Sequence, residues 1–572
     1  MQKPKVLNLG HSDFKDVIQN NHYYIDKSLL IEEVIDAQKA VLLLPRPRRF
    51  GKTLNLSMLK YFFDIQEPEN EILFRELNIW KSTDDIKAKR GKYPVMYLSF
   101  KDAKKNSWED TLKHIKIEIA KLYRSHIYLL KKDLLLEIEK KEFTEILERK
   151  ADDIDVEISL KNLSEYLYRY YQQQVVILID EYDTPIQAGY QKFYDLAISF
   201  MRNLMLGAFK DNKFLYKGII TGILRVSKES IFTGLNNVSA YTILDHKFSD
   251  KFGFTEAEIQ QIIHDFKIPT DQQQIRQWYN GYTFGRTENI YNPWSILNFA
   301  LEYSEGFKTF WANTSSDELI KTWLERRDAN FTRAEFLKLI NEESIEKEIN
   351  ENFVFPDLDK DNELLWTLLM YSGYLTIKKK VSRKKYEILI PNFEVKTVFQ
   401  DIILNWLNTN LRLRRTLLED TTRYLVNNEI EKFEQGFKQI IGDTFSYFDT
   451  ANEPEYVYQS YVLGLLAIIG DEYIIKSNRE SGEGRYDILL IPHDKHKYGV
   501  VIEIKQIKIR DGESEETLSS RINHKISEAL NQINKHKYYQ ELLAHKVSNI
   551  IKIPIVFAGK IPHIIPQSGN SI

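Results

Sequence analysis

Ala40–Thr53, AVLLLPRPRRFGKT, passes from a strand-length apolar block through a loop of prolines and arginines into a helical pattern reaching Phe63. A phosphate-binding loop needs backbone amides aimed at phosphate oxygens, a helix N-terminus facing the anion, a lysine and a metal-binding hydroxyl. Gly51, Lys52 and Thr53 supply the end of that pattern, and Arg49 and Phe50 are the loop residues before them. Gly51 permits close backbone approach, Lys52 bridges terminal phosphates, and Thr53 reaches a metal ion. The first glycine of the general pattern is absent, because Arg46 stands there. The competing reading of this segment alone is a solvated basic turn.

Working outward, Val175–Asp183 reads VVILIDEYD, an apolar strand running directly into acids. A carboxylate at the end of a buried strand is costly to desolvate, so it needs a cation or a positioning task. Asp180 is the candidate metal holder through water and Glu181 the candidate polariser of an attacking water. The alternative is a strand-end cap or salt bridge, and Asp183 is read as structural. Val95–Phe100 (VMYLSF) and Phe214–Ile223 (FLYKGIITGI) are further strands. Apolar strands separated by helices predict a mainly parallel sheet covered on both faces. Thr221 near the end of the fourth strand is placed to sense a terminal phosphate. Arg225 is placed to stabilise transferred charge. Packing and an ion pair are their respective alternatives. Asp26 is read as the N-cap of a helix beginning at Lys27.

Near the C-terminus, Gly482–Lys505 reads GEGRYDILLIPHDKHKYGVVIEIK, a strand, a polar turn and a strand. Alternation puts Glu503 and Lys505 on one face, and a hairpin partner carrying Asp487 brings a second carboxylate beside them. Asp487 and Glu503 suit magnesium binding, and Lys505 suits orienting or deprotonating the attacking water in phosphodiester hydrolysis. Glu455, in EYVYQSYVLGLL, is an additional acid; Gln532 and Tyr538, in ALNQINKHKYY, are supporting groups. Glu-x-Lys alone is common and usually marks a surface strand; the glycines, the hairpin and the following helix strengthen it.

Lys378, Lys379, Lys380, Arg383, Lys384 and Lys385 crowd the tip of a second hairpin after a helix. A winged helix presents such a wing to the DNA backbone, and a solvated loop tip is the alternative. The aromatic stretch Trp278–Phe284 reads as packing between a helical lid and its sheet, with base stacking as the lesser reading. Arg412, Arg414 and Arg415 read as a charged helix face.

The 572 residues include 43% hydrophobic and 28% charged residues, ordinary globular composition. Cysteine is absent, which excludes disulfides, thiolate metal sites and cysteine nucleophiles and fits a reducing compartment. With 79 basic against 82 acidic residues the net charge is −3, so contact with nucleic acid must come from local patches. The start MQKPKVLNLGHSDFKD lacks the apolar segment of a signal peptide, and no apolar run approaches bilayer length. The 12 histidines form no paired ligand spacing, so no zinc is expected. The expectation is a cytoplasmic protein without membrane contact.

RPRRFGKT, LIDEYDTPI, TGILRVSKESIFTGLNN and WYNGYTFG with IYNPWSI together resemble the AAA-ATPase-like family of bacterial proteins with a C-terminal nuclease-like domain of the PD-(D/E)XK superfamily. An arginine-rich loop in place of the first glycine is the normal form there. The resemblance implies ATP and Mg2+ as cofactors and metal-dependent DNA cleavage. The combined expectation is an α/β protein in four parts. Residues 1–250 form a P-loop NTPase core with a mainly parallel sheet, and 251–360 a helical lid. Residues 361–435 form a winged-helix-like connector, and 436–572 a restriction-endonuclease-like α/β domain. DNA is the expected partner, with a homo-oligomer a further expectation and defence against or maintenance of mobile DNA the expected setting. The alternative function is a nucleotide-controlled DNA- or protein-binding switch whose nuclease domain is inactive.

Overall fold

In the computed structural model the apolar block becomes strand β1 (Val41–Pro45), buried along its whole length. The residues described are 6–131, 134–225, 231–311, 335–399, 415–445 and 472–568, apart from isolated positions inside those ranges, together with a few positions from 462 to 469. Residue contacts divide the chain into two units, Met1–Trp311 with Glu346–Val395 and Ala312–Ile345 with Lys396–Ile572. The segment 361–435 is thereby shared between the units.

In the first unit β1 joins β2 (Val95–Ser99), β3 (Val175–Asp180), β4 (Leu215–Gly222) and β5 (Val238–Ala240) in the order β2-β3-β4-β1-β5. Every neighbouring pair is parallel. Parallel strands point their carboxyl ends to one edge, so the loop after β1 and the acids ending β3 meet across the end of β4. Leu42, Leu43 and Leu44 are at most 1% exposed, each burial stabilising the sheet by about 2 kcal/mol. Among the helices of this unit are Lys52–Phe63, Trp108–Ser125, Asp153–Tyr171 and Tyr194–Phe209. Ser107 and Asp152 cap two of them by accepting the Asp110 and Asp155 amides.

Two expectations are corrected here. Asp26 accepts the Ser28 amide at 2.8 Å, but the helix is Leu29–Ile35, two residues later than read, with Ser28 in the N-cap position and Asp26 also accepting the Asn78 amide. The segment read as a helical lid, 251–360, also contains, in its irregular aromatic stretch, the paired strands Tyr282–Phe284 and Thr287–Ile290. They form because Tyr282 and Phe284 share a face and bury their rings on Phe50, at centroid distances of 5.0 and 5.2 Å. Trp278 stacks on Phe307 at 5.6 Å, so these aromatics pack the core. Downstream, the helix Leu364–Ser372 precedes an antiparallel hairpin of β6 (Thr376–Lys380) and β7 (Lys385–Leu389), widened by the strand Ile345–Glu348.

In the second unit the described strands β8 (Tyr473–Ser477), β9 (Ile488–Pro492), β10 (Gly499–Ile507), β11 (Ile550–Ala558) and β12 (Ile561–Ile564) are neighbours in that order. All pairs are antiparallel except β10 with β11, which the helix Glu515–Lys535 connects. Alternation gives the sheet two cores. Ile488, Leu490, Ile502 and Ile504 pack with residues of the helix Ile430–Phe445, while Leu489, Ile491 and Val501 pack with Ile533, Tyr538 and Leu542. Among the described residues no helix is long and apolar enough to cross a membrane.

Candidate functional site

The loop after β1 ends at Gly51, whose φ of +82° starts the helix Lys52–Phe63. That left-handed conformation suits glycine. No atom lies within 4 Å of where a Cβ would stand, so the backbone here is open to an approaching group. Lys52 is buried and donates from Nζ to the Arg46 and Pro47 carbonyls, both at 3.0 Å. Burial lowers its pKa, while Glu181, Asp180 and Asp183 act in the opposite sense.

Asp180 closes β3 with no exposed surface. Its two oxygens accept different hydroxyls, Oδ2 from Thr53 at 2.7 Å and Oδ1 from Thr221 at 2.6 Å. β3, β4 and the helix that follows β1, distant in sequence, are thereby tied through one carboxylate. Glu181 follows at φ +50°, an uncommon conformation for a side-chain-bearing residue of the kind found at functional sites. Burial raises its pKa, and Lys52 opposes the rise. Asp183 is a strut, accepting the Ile223 and Leu224 amides at 3.0 and 2.9 Å and the Gln187 side chain at 2.7 Å. Gly222 must be glycine, since a Cβ there would sit 2.5 Å from Asp183 Oδ1 and 2.8 Å from the Tyr182 ring.

Arg49 and Phe50 commit their side chains elsewhere. Arg49, at φ +66°, donates to the Phe310 carbonyl at 2.6 Å and lies 4.6 Å from the Trp294 ring centre. Phe50 is buried against Tyr282 and Phe284. Both can offer a phosphate only backbone amides. Arg225 faces Glu351 at 3.8 Å, the ion-pair alternative, and Glu351 also accepts the Thr242 and Tyr371 hydroxyls at 2.8 and 3.0 Å. Residues 226–230 lie outside the described residues.

Sequence reasoning missed what holds the loop. Arg46 is fully buried and donates to the Pro45, Tyr241 and Phe248 carbonyls at 2.7, 2.7 and 3.1 Å. It also lies 4.8 Å from the Phe252 ring centre. Burial pulls its pKa to about 10, so it remains charged at neutral pH. The residue replacing the first glycine thus anchors the loop to the segment after β5. The only sequence signal was an arginine beside an apolar strand.

In the second unit, the register placing Ile488 opposite Ile502 puts Asp487 across from Glu503. Asp487 Oδ2 accepts the Ile504 amide at 2.7 Å. Glu503, 1% exposed, pairs with Lys505 at 2.7 Å on the same strand face. Tyr538 accepts a hydrogen bond from Gln532 at 3.2 Å. Burial raises the Tyr538 pKa and Glu503 and Asp487 act in the same sense, as expected of groups that face one another. These five residues therefore converge. Glu455 lies outside the described residues, as do Arg412 and Arg414. Among the described residues no group of three metal-ligating side chains occurs. The pair of hard oxygen donors Asp487 and Glu503 still fits a magnesium-type ion that keeps several waters.

The basic hairpin is internally compensated. Lys378 and Lys379 meet Glu387 at 2.7 and 3.0 Å, Lys385 meets Glu346 at 2.7 Å, and Lys384 meets Glu348 at 3.5 Å. Lys380 lies 5.6 Å from the Tyr386 ring centre, and Arg383 is exposed at the turn. Exposed pairs of this kind are weak and exchangeable.

Two regions of the chain match known family models. Residues 8–232 match the model of the family described as Predicted AAA-ATPase, and residues 453–566 match that of the PD-(D/E)XK nuclease superfamily. The chain is 26% identical over 407 residues, 70% of each chain, to a protein of Azotobacter chroococcum mcd 1 described as an uncharacterized protein in the vnfD 5′ region. A Walker-type ATPase of Pyrococcus abyssi superposes with a TM-score of 0.35 and 14% identity, covering 70% of this chain and 99% of that one.

Proposed function

We propose that this chain, whose residues 8–232 belong to the predicted AAA-ATPase family and whose residues 453–566 belong to the PD-(D/E)XK nuclease superfamily, hydrolyses ATP at the first site and cleaves DNA at the second. The observation that carries the reading is the single buried carboxylate of Asp180, which joins Thr53 at the helix start to Thr221 on β4. Thr53 and Asp180 are oxygen donors 2.7 Å apart beside an open glycine backbone, a set that fits a magnesium-bound triphosphate. Magnesium, when bound at either site, supplies compensation for phosphate charge. Lys52 exchanges its loop carbonyls for phosphate oxygens, and the loop amides and helix N-terminus orient the anion. Glu181 holds the attacking water, its raised pKa favouring proton acceptance. Thr221 reports on the terminal phosphate through Asp180, and Arg225 meets transferred charge only after leaving Glu351.

At the second site Asp487 and Glu503 hold the metal, and Lys505 orients the water that attacks the phosphodiester. Gln532 and Tyr538 brace the same face, with Glu455 a further acid. The basic hairpin, Lys378–Lys380 with Arg383–Lys385, exchanges its glutamate partners for the DNA backbone. The setting is defence against mobile DNA or its maintenance, in the cytoplasm, where a chain without cysteine needs no oxidising environment.

The test is incubation of the full chain with plasmid DNA, magnesium and ATP, repeated with each omitted. The expected result is cleavage that requires magnesium and is lost in Lys505→Ala, which keeps ATP hydrolysis. No cleavage with magnesium or manganese in any combination would reject the nuclease half.

A further inference from the structure

A loop with arginines where flexible residues are usual cannot hold its shape unaided. Arg49 and Gly51 are both left-handed, at φ +66° and +82°, and that conformation costs a non-glycine residue about 1–2 kcal/mol. The compensation comes from one buried peptide. Arg49 donates to the Phe310 carbonyl at 2.6 Å, and the Trp294 indole donates to the same oxygen at 3.0 Å. Across that peptide bond, the Trp311 amide donates to Glu394 at 2.8 Å, and the preceding Phe310 amide donates to the same oxygen at 2.6 Å. The second oxygen of Glu394 accepts the Ser295 hydroxyl at 2.7 Å. Guanidinium, peptide and carboxylate thus form one line of hydrogen bonds in which each polarises the next. Glu394 is 2% exposed, a buried charge that nothing in the proposed chemistry uses.

We infer that Glu394 is a positioning residue of the phosphate-binding loop, holding Arg49 in its left-handed conformation through the Phe310–Trp311 peptide. This rests on the reading of that loop as the ATP site. Glu394 touches neither phosphate nor metal; it acts through Arg49. Asn292 reinforces the tether by donating to the Arg48 carbonyl at 3.3 Å. Losing the tether lets the loop sample other shapes, which lowers apparent affinity by the fraction of competent loop and leaves the bound state as it was.

The titratable and charged groups facing Glu394 are Arg49 and the phenols of Tyr279 and Tyr282, which burial keeps neutral. Burial raises the Glu394 carboxyl to about 6, with Ser295, the two amides and Arg49 opposing. The ionised form that attracts Arg49 therefore prevails above that pH and is lost below it.

The experiment measures KM and kcat for ATP between pH 5.5 and 7.5 on the full chain, the Glu394→Gln variant and the Ser295→Ala variant. Glu394→Gln should raise KM about 5-fold at pH 7.5 with kcat within about two-fold, the pattern of lost uniform binding. Its KM should also lack the wild-type rise near pH 6. Ser295→Ala, which removes a donor that favours ionised Glu394, should move that rise to higher pH. Unchanged KM in Glu394→Gln, or an unmoved rise in Ser295→Ala, would overturn the inference. If Glu394→Gln does not fold, the Ser295→Ala shift decides alone. A wild-type chain that binds no ATP would overturn the functional reading, and this inference with it.

Discussion

The two sites are built by opposite means. The loop site is assembled from the loop and helix after β1 and the ends of β3 and β4, whose contributing residues lie as far apart as Thr53 and Thr221, and its parts meet through buried hydrogen bonds. The acids and the lysine of the nuclease-like cluster come from one hairpin, where the register of β9 on β10 sets Asp487 across from Glu503 and alternation adds Lys505. A site woven through a parallel sheet shares its residues with the core, so altering it disturbs folding. A site set by the register of one hairpin can lose a side chain such as Lys505 and leave the sheet standing. That asymmetry is a physical reason why the second cluster's chemistry is the easier one to remove by substitution.

The largest expected effect sharpens this contrast. Lys505→Ala should reduce metal-dependent DNA cleavage roughly 1000-fold while ATP affinity and the urea midpoint stay unchanged. A matching fall in stability would show that the hairpin is as entangled with the core as the loop. On the other side, Arg46→Met should cost about 3 kcal/mol in urea unfolding, because it leaves three carbonyls without their buried donor. A loss under about 0.5 kcal/mol would break the comparison.

What the sequence disclosed follows the same division. β1 to β4 were legible because runs such as VVILI, buried along their whole length, are of strand length and rich in β-branched residues. Asp487, Glu503 and Lys505 were legible because counting by two along a hairpin is a local operation. The three-residue strand β5, the Arg46 anchor and the Glu394 tether were not, since each takes its meaning from partners 84 to 261 positions away. The side-chain partners of Arg49 and Phe50 were not legible for the same reason: Phe310 and Tyr282 claim them.

Smaller effects test the details. Gly51→Ala should fold, because its methyl meets open space, yet cost about 1–2 kcal/mol from the left-handed backbone. Thermal unfolding beside ATP titration would separate that strain from lost phosphate binding. Smallest of all, Lys379→Ala and Lys384→Ala should leave stability within about 0.5 kcal/mol, since both are exposed partners of glutamates. Each should reduce the slope of DNA affinity against salt by about 1 if it reaches a phosphate. An unchanged slope in both variants would remove the hairpin from the DNA path.

The most direct measurement is calorimetric titration of magnesium-ATP into the full chain and into Lys52→Ala. The wild-type chain should bind one nucleotide per chain, with affinity falling at least about 100-fold in the variant, as expected for loss of a buried charge-assisted contact. Equal affinity in the two proteins would contradict the account, because the nucleotide would then be docking somewhere other than the loop that faces Asp180.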